Sequence, residues 1–333
     1  MRVALLFCEG KFDVALLRRV LKGDDTPTPS LGESASQGPV WGWHEDDTSL
    51  KGLPTPLSTF LIQEASSRHG VGERKVSQLT QPDPPLPAHA VWRTMHLPTV
   101  PPGPPTRSAL ILAYQMNGDR LSDTLDYLKR LKPAIDASRR GFGTLTSESG
   151  AAVREWSFGF LFDGDASGKK NLEMLKVELP KVLGPSEIRE GEWVSAGERD
   201  LVGALLLRAD EHASGTLESM LVGALTPHFA GLLPKAQDFL KDNKPPGKSD
   251  LFRGQDTVPI EAVARKARLL KASLVVLGQY DRPDQGLTTI IGHANIFDSA
   301  HLRKEPSIGR LLEFVRAGAV VGVPDGDSRH HPG

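Results

Sequence analysis

Two aspartates separated by one glycine, Asp163-Gly164-Asp165, stand at the end of an apolar run of strand length, Phe158 to Phe162. Acids that close repel each other, and a divalent cation held by oxygen ligands is the usual remedy. The glycine between them leaves room for a bulky anion to approach. The same residues also suit an ordinary Asx-rich turn that caps the next helix, with Ser167 as N-cap. A second apolar run, Val3 to Cys8, ends in the same manner at Glu9-Gly10-Lys11-Phe12-Asp13. If the two strands are parallel neighbours, Glu9, Asp163 and Asp165 meet at the carboxyl edge of one sheet, where α/β proteins bind ligands.

The elements that must position these acids are legible from periodicity. Phe158 to Phe162 is too short for a helix and aromatic-rich, which predicts a buried parallel strand. Leu172, Leu175 and Leu179 then recur at helical spacing, so the aspartates occupy a strand-to-helix turn. After Glu9, Phe12, Ala15, Leu16, Arg19 and Val20 predict a second strand–turn–helix unit. Ala109 to Tyr114 reads as a further strand, followed by an Asn117-Gly118-Asp119 turn. A helix on Leu121, Leu125, Leu128 and Leu131 should reach about Lys132, where Pro133 interrupts or ends it. Arg139 to Gly143 reads as a flexible linker, and Val202 to Leu207 as a short strand. From Gly215 onward the chain is helix-rich, with helices predicted near 228–241, 259–272 and 306–317 and a polar joint at Asn243 to Asp250. The basic face at Arg265, Lys266, Arg268 and Lys271 suits solvent, or a phosphate stripe.

Residues 24–107 differ in character. They hold 14 of the 26 prolines and only brief apolar clusters, which predicts an insertion that is largely loop and partly disordered. Trp41, Trp43 and Trp92 imply that pieces of it pack on something. The expected organisation is thus a core of 1–23 and 108–212, an insertion at 24–107 and a helix-rich elaboration at 213–333.

Composition narrows the function classes. Lys+Arg 40 against Asp+Glu 41 leaves a net charge of −1, so no global basic field advertises a polynucleotide partner, although a local patch would serve. The single cysteine, Cys8, excludes an internal disulfide and a cysteine-based zinc site. It reads as a small buried hydrophobe. No apolar run approaches membrane-spanning length, so the expectation is a cytoplasmic protein without a membrane partner. Gly164 to Lys169 resembles a phosphate loop only superficially: the glycines are one residue too close, and Lys170 stands where Ser or Thr is needed. A flavodoxin-like phospho-acceptor domain also gathers acids at strand ends, but needs neither the helix-rich segment nor the insertion.

The two acidic motifs, Val3-Ala4-Leu5-Leu6-Phe7-Cys8-Glu9-Gly10-Lys11-Phe12-Asp13 and Phe160-Leu161-Phe162-Asp163-Gly164-Asp165-Ala166-Ser167-Gly168, resemble those of the Toprim domain. That domain is shared by type IA topoisomerases, bacterial primases, the maturase of 5S ribosomal RNA and the overcoming-lysogenization-defect nucleases. The resemblance covers the first 23 residues and about 108–210. More loosely, Asn117-Gly118-Asp119, Gly215-Thr216-Leu217-Glu218 and Lys266 to Lys271 are similar to features of a stand-alone prokaryotic Toprim branch. The long Pro-rich insertion departs from the pattern.

The resemblance implies an α/β fold: a compact, mostly parallel sheet flanked by helices, with a helical C-terminal elaboration. It implies a metal-dependent nuclease or related phosphoryl-transfer enzyme acting on DNA or RNA, with a separate ATPase as a possible partner. Glu9 would serve as general acid or base and metal ligand, and Asp163 and Asp165 would hold Mg²⁺ or Mn²⁺. Glu218 would complete a second metal position, unless it is simply an acid favoured at a helix N-terminus. Lys169 or Lys170 would reach a scissile phosphate, unless each is a plain surface lysine. The alternative from another class is a non-catalytic Toprim-like module that binds nucleic acid or a partner protein.

Overall fold

The computed structural model describes residues 2–22, 42–44, 90–96, 108–116, 121–141, 155–184, 187–197, 199–209, 215–243, 259–293, 295–297 and 299–319. In chain order the elements are β1 (Arg2–Cys8), α1 (Lys11–Lys22), β2 (Gly42–His44), β3 (Ala90–His96), β4 (Ser108–Gln115), α2 (Leu121–Gly141), β5 (Glu155–Asp163), α3 (Ala166–Glu178) and α4 (Pro180–Leu183). They continue with β6 (Trp193–Ala196), β7 (Asp200–Leu207), α5 (Leu217–Gly223), α6 (Pro227–Asp242), α7 (Pro259–Asp281), α8 (Leu287–His293), α9 (Ser299–Lys304) and α10 (Pro306–Ala319).

One seven-stranded sheet runs in the order β2-β3-β4-β1-β5-β7-β6. Its centre, β4-β1-β5-β7, is parallel, and antiparallel strands flank it on both sides. Such a centre must be covered on both faces, and side-chain alternation shows how. Ala4, Leu6 and Cys8 of β1 and Leu161 of β5 face α1 and helices of the 217–319 segment. Val3, Leu5 and Phe7, with Phe158, Phe160 and Phe162, face α2 and α3. The stacked rings of Phe7 and Phe160, 4.9 Å apart, belong to this second layer. The segment expected as a C-terminal elaboration therefore shares one continuous core with the sheet. Arg19 of α1 fastens it by donating to the carbonyls of Gly292 (3.1 Å) and Phe297 (3.0 Å).

The insertion contributes strands to the sheet, and the expectations for the end of α2 and for the linker after it are corrected. Residues 24–107 contribute two strands, and β3 pairs with β4 from Ala90 opposite Tyr114 to His96 opposite Ser108. Trp43 and Trp92 lie in those strands; Trp41 and most of the insertion lie outside the described residues. The α2 helix does not stop at Pro133. The proline is exposed, so its missing N–H costs little on the solvent side, while the apolar stripe continues inward to Ile135. Arg139 forms a forked ion pair with Asp200 that holds the last turn, so Arg139, Arg140 and Gly141 are helix rather than linker. The turn expected at Asn117 to Asp119 and the joint at 244–250 lie outside the described residues. No described helix is long and apolar enough to cross a membrane.

Candidate functional site

The two acidic turns stand side by side because β1 and β5 are parallel neighbours, with Cys8 opposite Leu161. The backbone N–H of Glu9 donates to the carbonyl of Leu161 (3.2 Å), extending the ladder one residue. The carboxylate of Glu9 then accepts from the N–H of Asp163 (2.9 Å), so the first acid buttresses the second turn. Alternation along β5 turns Asp163 to the Leu161 face, toward α1 and α5. There its Oδ1 accepts from the N–H of Leu217 at the start of α5 (3.0 Å).

Two further acids complete the edge. Asp13, in the first turn of α1, reaches back to the N–H of Gly10 (2.6 Å), as the third helical residue does in a capping box. It is buried, as is Glu218 in the first turn of α5. Burial, and then the charges of Glu9 and Glu218, push the Asp13 carboxyl up to about 7, against the Gly10 N–H and Lys271, which pull it down. Asp163 is also pushed well up, first by burial and then by Asp13, Glu9 and Glu218. The charge of Glu218 therefore reaches both aspartates. Lys271 of α7 stands 3.7 Å from Glu218 and lies over the Phe12 ring, 4.0 Å from its centroid.

The structure brings Glu9, Asp163 and Glu218 to one edge and turns Asp165 to another task. Asp165 is the N-cap of α3 and accepts from Gly168 N–H (2.9 Å), the role the sequence reading gave to Ser167. Gly168 is required by close approach: a Cβ there would lie 1.8 Å from the carbonyl oxygen of Asp163. Gly164 does not open a path for an anion, because a Cβ there would meet the Cβ of Arg208 at 2.7 Å. Its glycine serves turn packing against the end of β7, whose Leu207 carbonyl accepts Gly164 N–H (2.8 Å). Lys169 and Lys170 are exposed at the first turn of α3. Cys8 is fully buried and its thiol is pushed up chiefly by that burial, as an inert core residue requires.

Sequence reasoning missed Asp13 and Lys271 as members of the site. Asp13 carried a signal, since it sits one helical turn after Glu9 and directly follows Phe12 at the start of α1. Lys271 was legible only as part of a basic face suited to solvent or a phosphate stripe, because its pairing with Glu218 depends on α7 packing against α5.

By chemistry this is a set of hard oxygen donors, with Asp13 raised to about 7 and Asp163 above its ordinary value, of the kind that suits a divalent cation of the Mg²⁺ or Mn²⁺ type. By geometry the carboxylates are turned onto backbone N–H groups. Among the described residues no group of three or more acid, His or Cys side chains is arranged to hold a metal ion.

In comparisons with known proteins, no family model, no curated protein and no solved structure matches the chain.

Proposed function

We propose that this protein is a Mg²⁺-dependent nuclease, or a related enzyme of phosphodiester phosphoryl transfer, that works at the edge formed by Glu9, Asp13, Asp163 and Glu218. The single observation that carries the reading is the crowding of these carboxylates. Asp13 is raised to about 7 and Asp163 well above its ordinary value, on the side of a parallel sheet where ligands bind. A structural role alone gains nothing from mutually repelling buried acids, whereas a cation site does. The Toprim resemblance belongs to this proposal and agrees with it at Glu9 and Asp163.

In this reading Asp163 and Glu218 would hold the cation, with Asp13 beside them. Once bound, the cation would neutralise the non-bridging phosphate oxygens and acidify a water. Glu9 takes the proton from the attacking water, its orientation fixed by the Asp163 N–H. Lys271 balances the charge of Glu218. Lys169, exposed at the first turn of α3, contacts a phosphate of the strand. Asp165 contributes by holding the start of α3 in place rather than by holding metal. The nucleic acid substrate, DNA or RNA, could be delivered by a separate ATPase.

One observation favours the rival reading of a non-catalytic module. Glu9, Asp13, Asp163 and Asp165 each accept a backbone N–H, as structural caps do. Cleavage of a plasmid and RNA panel with Mg²⁺ or Mn²⁺ separates the two. The enzyme reading expects activity that Asp163→Asn abolishes with the fold intact. Activity unchanged in that variant would place the chemistry elsewhere, and none in the wild type with any metal would favour the module.

A further inference from the structure

Beside the acidic edge a cleft of about 640 Å³ opens between the end of β7 and one face of α10. Arg310, Glu313, Phe314 and Ala317 line it at i, i+3, i+4 and i+7, and Glu190 and Arg208 stand on the other wall. Its floor is fixed. Phe314 stacks on Trp193, 4.6 Å between centroids, and accepts the indole N–H on its carbonyl (2.8 Å).

The polar walls are ordered by the protein itself. Arg208 Nη2 donates to Glu190 Oε2 (2.9 Å), and Glu190 Oε1 accepts from Leu206 N–H (3.3 Å). Arg310 Nη2 donates to the carbonyl of Arg208 (3.0 Å). Glu313 is exposed at the cleft. Arg208 links the cleft to the second acidic turn, since its Cβ stands where a side chain on Gly164, the residue after Asp163, would go.

Guanidinium donors and carboxylate acceptors line the same space, over an apolar floor. A simple cation or anion would meet charges of its own sign. A ligand that offers acceptors and donors on one planar edge, on a flat body that can lie over Ala317 and the rim of Phe314, is a nucleobase. Guanine fits best, because O6 and N7 match an arginine, while N1–H and the 2-amino group match a carboxylate. The volume lies within the roughly 300–1,000 Å³ of ligand pockets.

We propose that this cleft binds a base of the substrate strand, guanine in preference, next to the phosphate at the acidic edge. The proposal rests on the phosphodiester reading above, and its test does not depend on catalysis. Calorimetric titration of the full chain in EDTA with GMP, AMP, CMP and UMP should show GMP binding at least about tenfold more tightly, the discrimination expected of one bidentate base contact. Glu313→Gln should erase that preference, and Ala317→Trp should block binding by filling the cleft. With Ca²⁺ in place of EDTA, the dinucleotide pGpA should bind more tightly than GMP, because a cation at the acids attracts its second phosphate.

Equal or undetectable binding of the four mononucleotides would overturn the proposal. So would a GMP preference that survives both Glu313→Gln and Ala317→Trp. Equal affinity for pGpA and GMP would mark a site for a free nucleotide and overturn the assignment to a strand. A GMP preference in a chain that cleaves nothing would sink the nuclease reading and leave the base site standing. Cleavage without a GMP preference would do the reverse.

Discussion

Asp13→Asn tests the electrostatics of the acidic edge without requiring any knowledge of substrate. The Asp13 carboxyl is raised from 3.8 to about 7, burial being the largest cause. Between those values the folded chain holds a proton that the unfolded chain has released, so stability falls as pH rises and levels off above about pH 7. At about 1.4 kcal/mol per pH unit, the wild type should lose about 3 kcal/mol between pH 5 and 8 from this group alone. Asparagine keeps an acceptor for Gly10 N–H and removes the charge that also raises Asp163. In EDTA the variant should therefore be more stable than the wild type at pH 8 by roughly 2–4 kcal/mol, with the two converging toward pH 5. Urea unfolding followed by circular dichroism across that range reads the difference directly, at constant m-value. Parallel pH profiles, or a variant less stable at pH 8, would refute the picture of mutually repelling buried acids.

Other perturbations follow from packing and capping. A Cβ at position 318 would stand 2.2 Å from Trp193, which its stack and hydrogen bond hold in place, so Gly318→Ala should cost about 1–3 kcal/mol in chemical denaturation. Asp165→Ala removes the cap of α3 and should cost about 1 kcal/mol while leaving Mn²⁺ binding intact; weakened binding would return Asp165 to the metal site. Deleting residues 30–100 takes away β2 and β3 and bares the edge of β4, so the product should aggregate on size exclusion rather than remain a monodisperse core.

Much of this architecture was legible in the sequence wherever a local pattern decides structure. Short apolar runs that end at acids marked β1 and β5, and the same chain logic marked β4, β7 and the cores of α1, α2, α3, α5, α6, α7 and α10. Elements decided by tertiary contact were not legible. Strand β6 is four residues at a half-exposed edge, and its one strong signal, Trp193, packs against Phe314 of a distant helix. The short helices α8 and α9 bury Ile290, Ile291 and Leu302 against the common core and have too few turns to show a period. At the site, the meeting of Glu9 and Asp163 followed from strand type and turn position. The diversion of Asp165 did not, because an acid two residues past a strand suits a metal and a helix cap equally well. Which role wins depends on how closely Gly168 approaches the end of β5.

The central claim is that the carboxylates of this edge exist to hold a divalent cation, and Mn²⁺ titration of the purified chain at pH 7, followed by electron paramagnetic resonance, tests it most directly. Saturable binding that Asp163→Asn abolishes, with release of the proton held by Asp13, is the expected result. Saturable binding that Asp163→Asn leaves untouched, or no binding by a folded wild type, would contradict it.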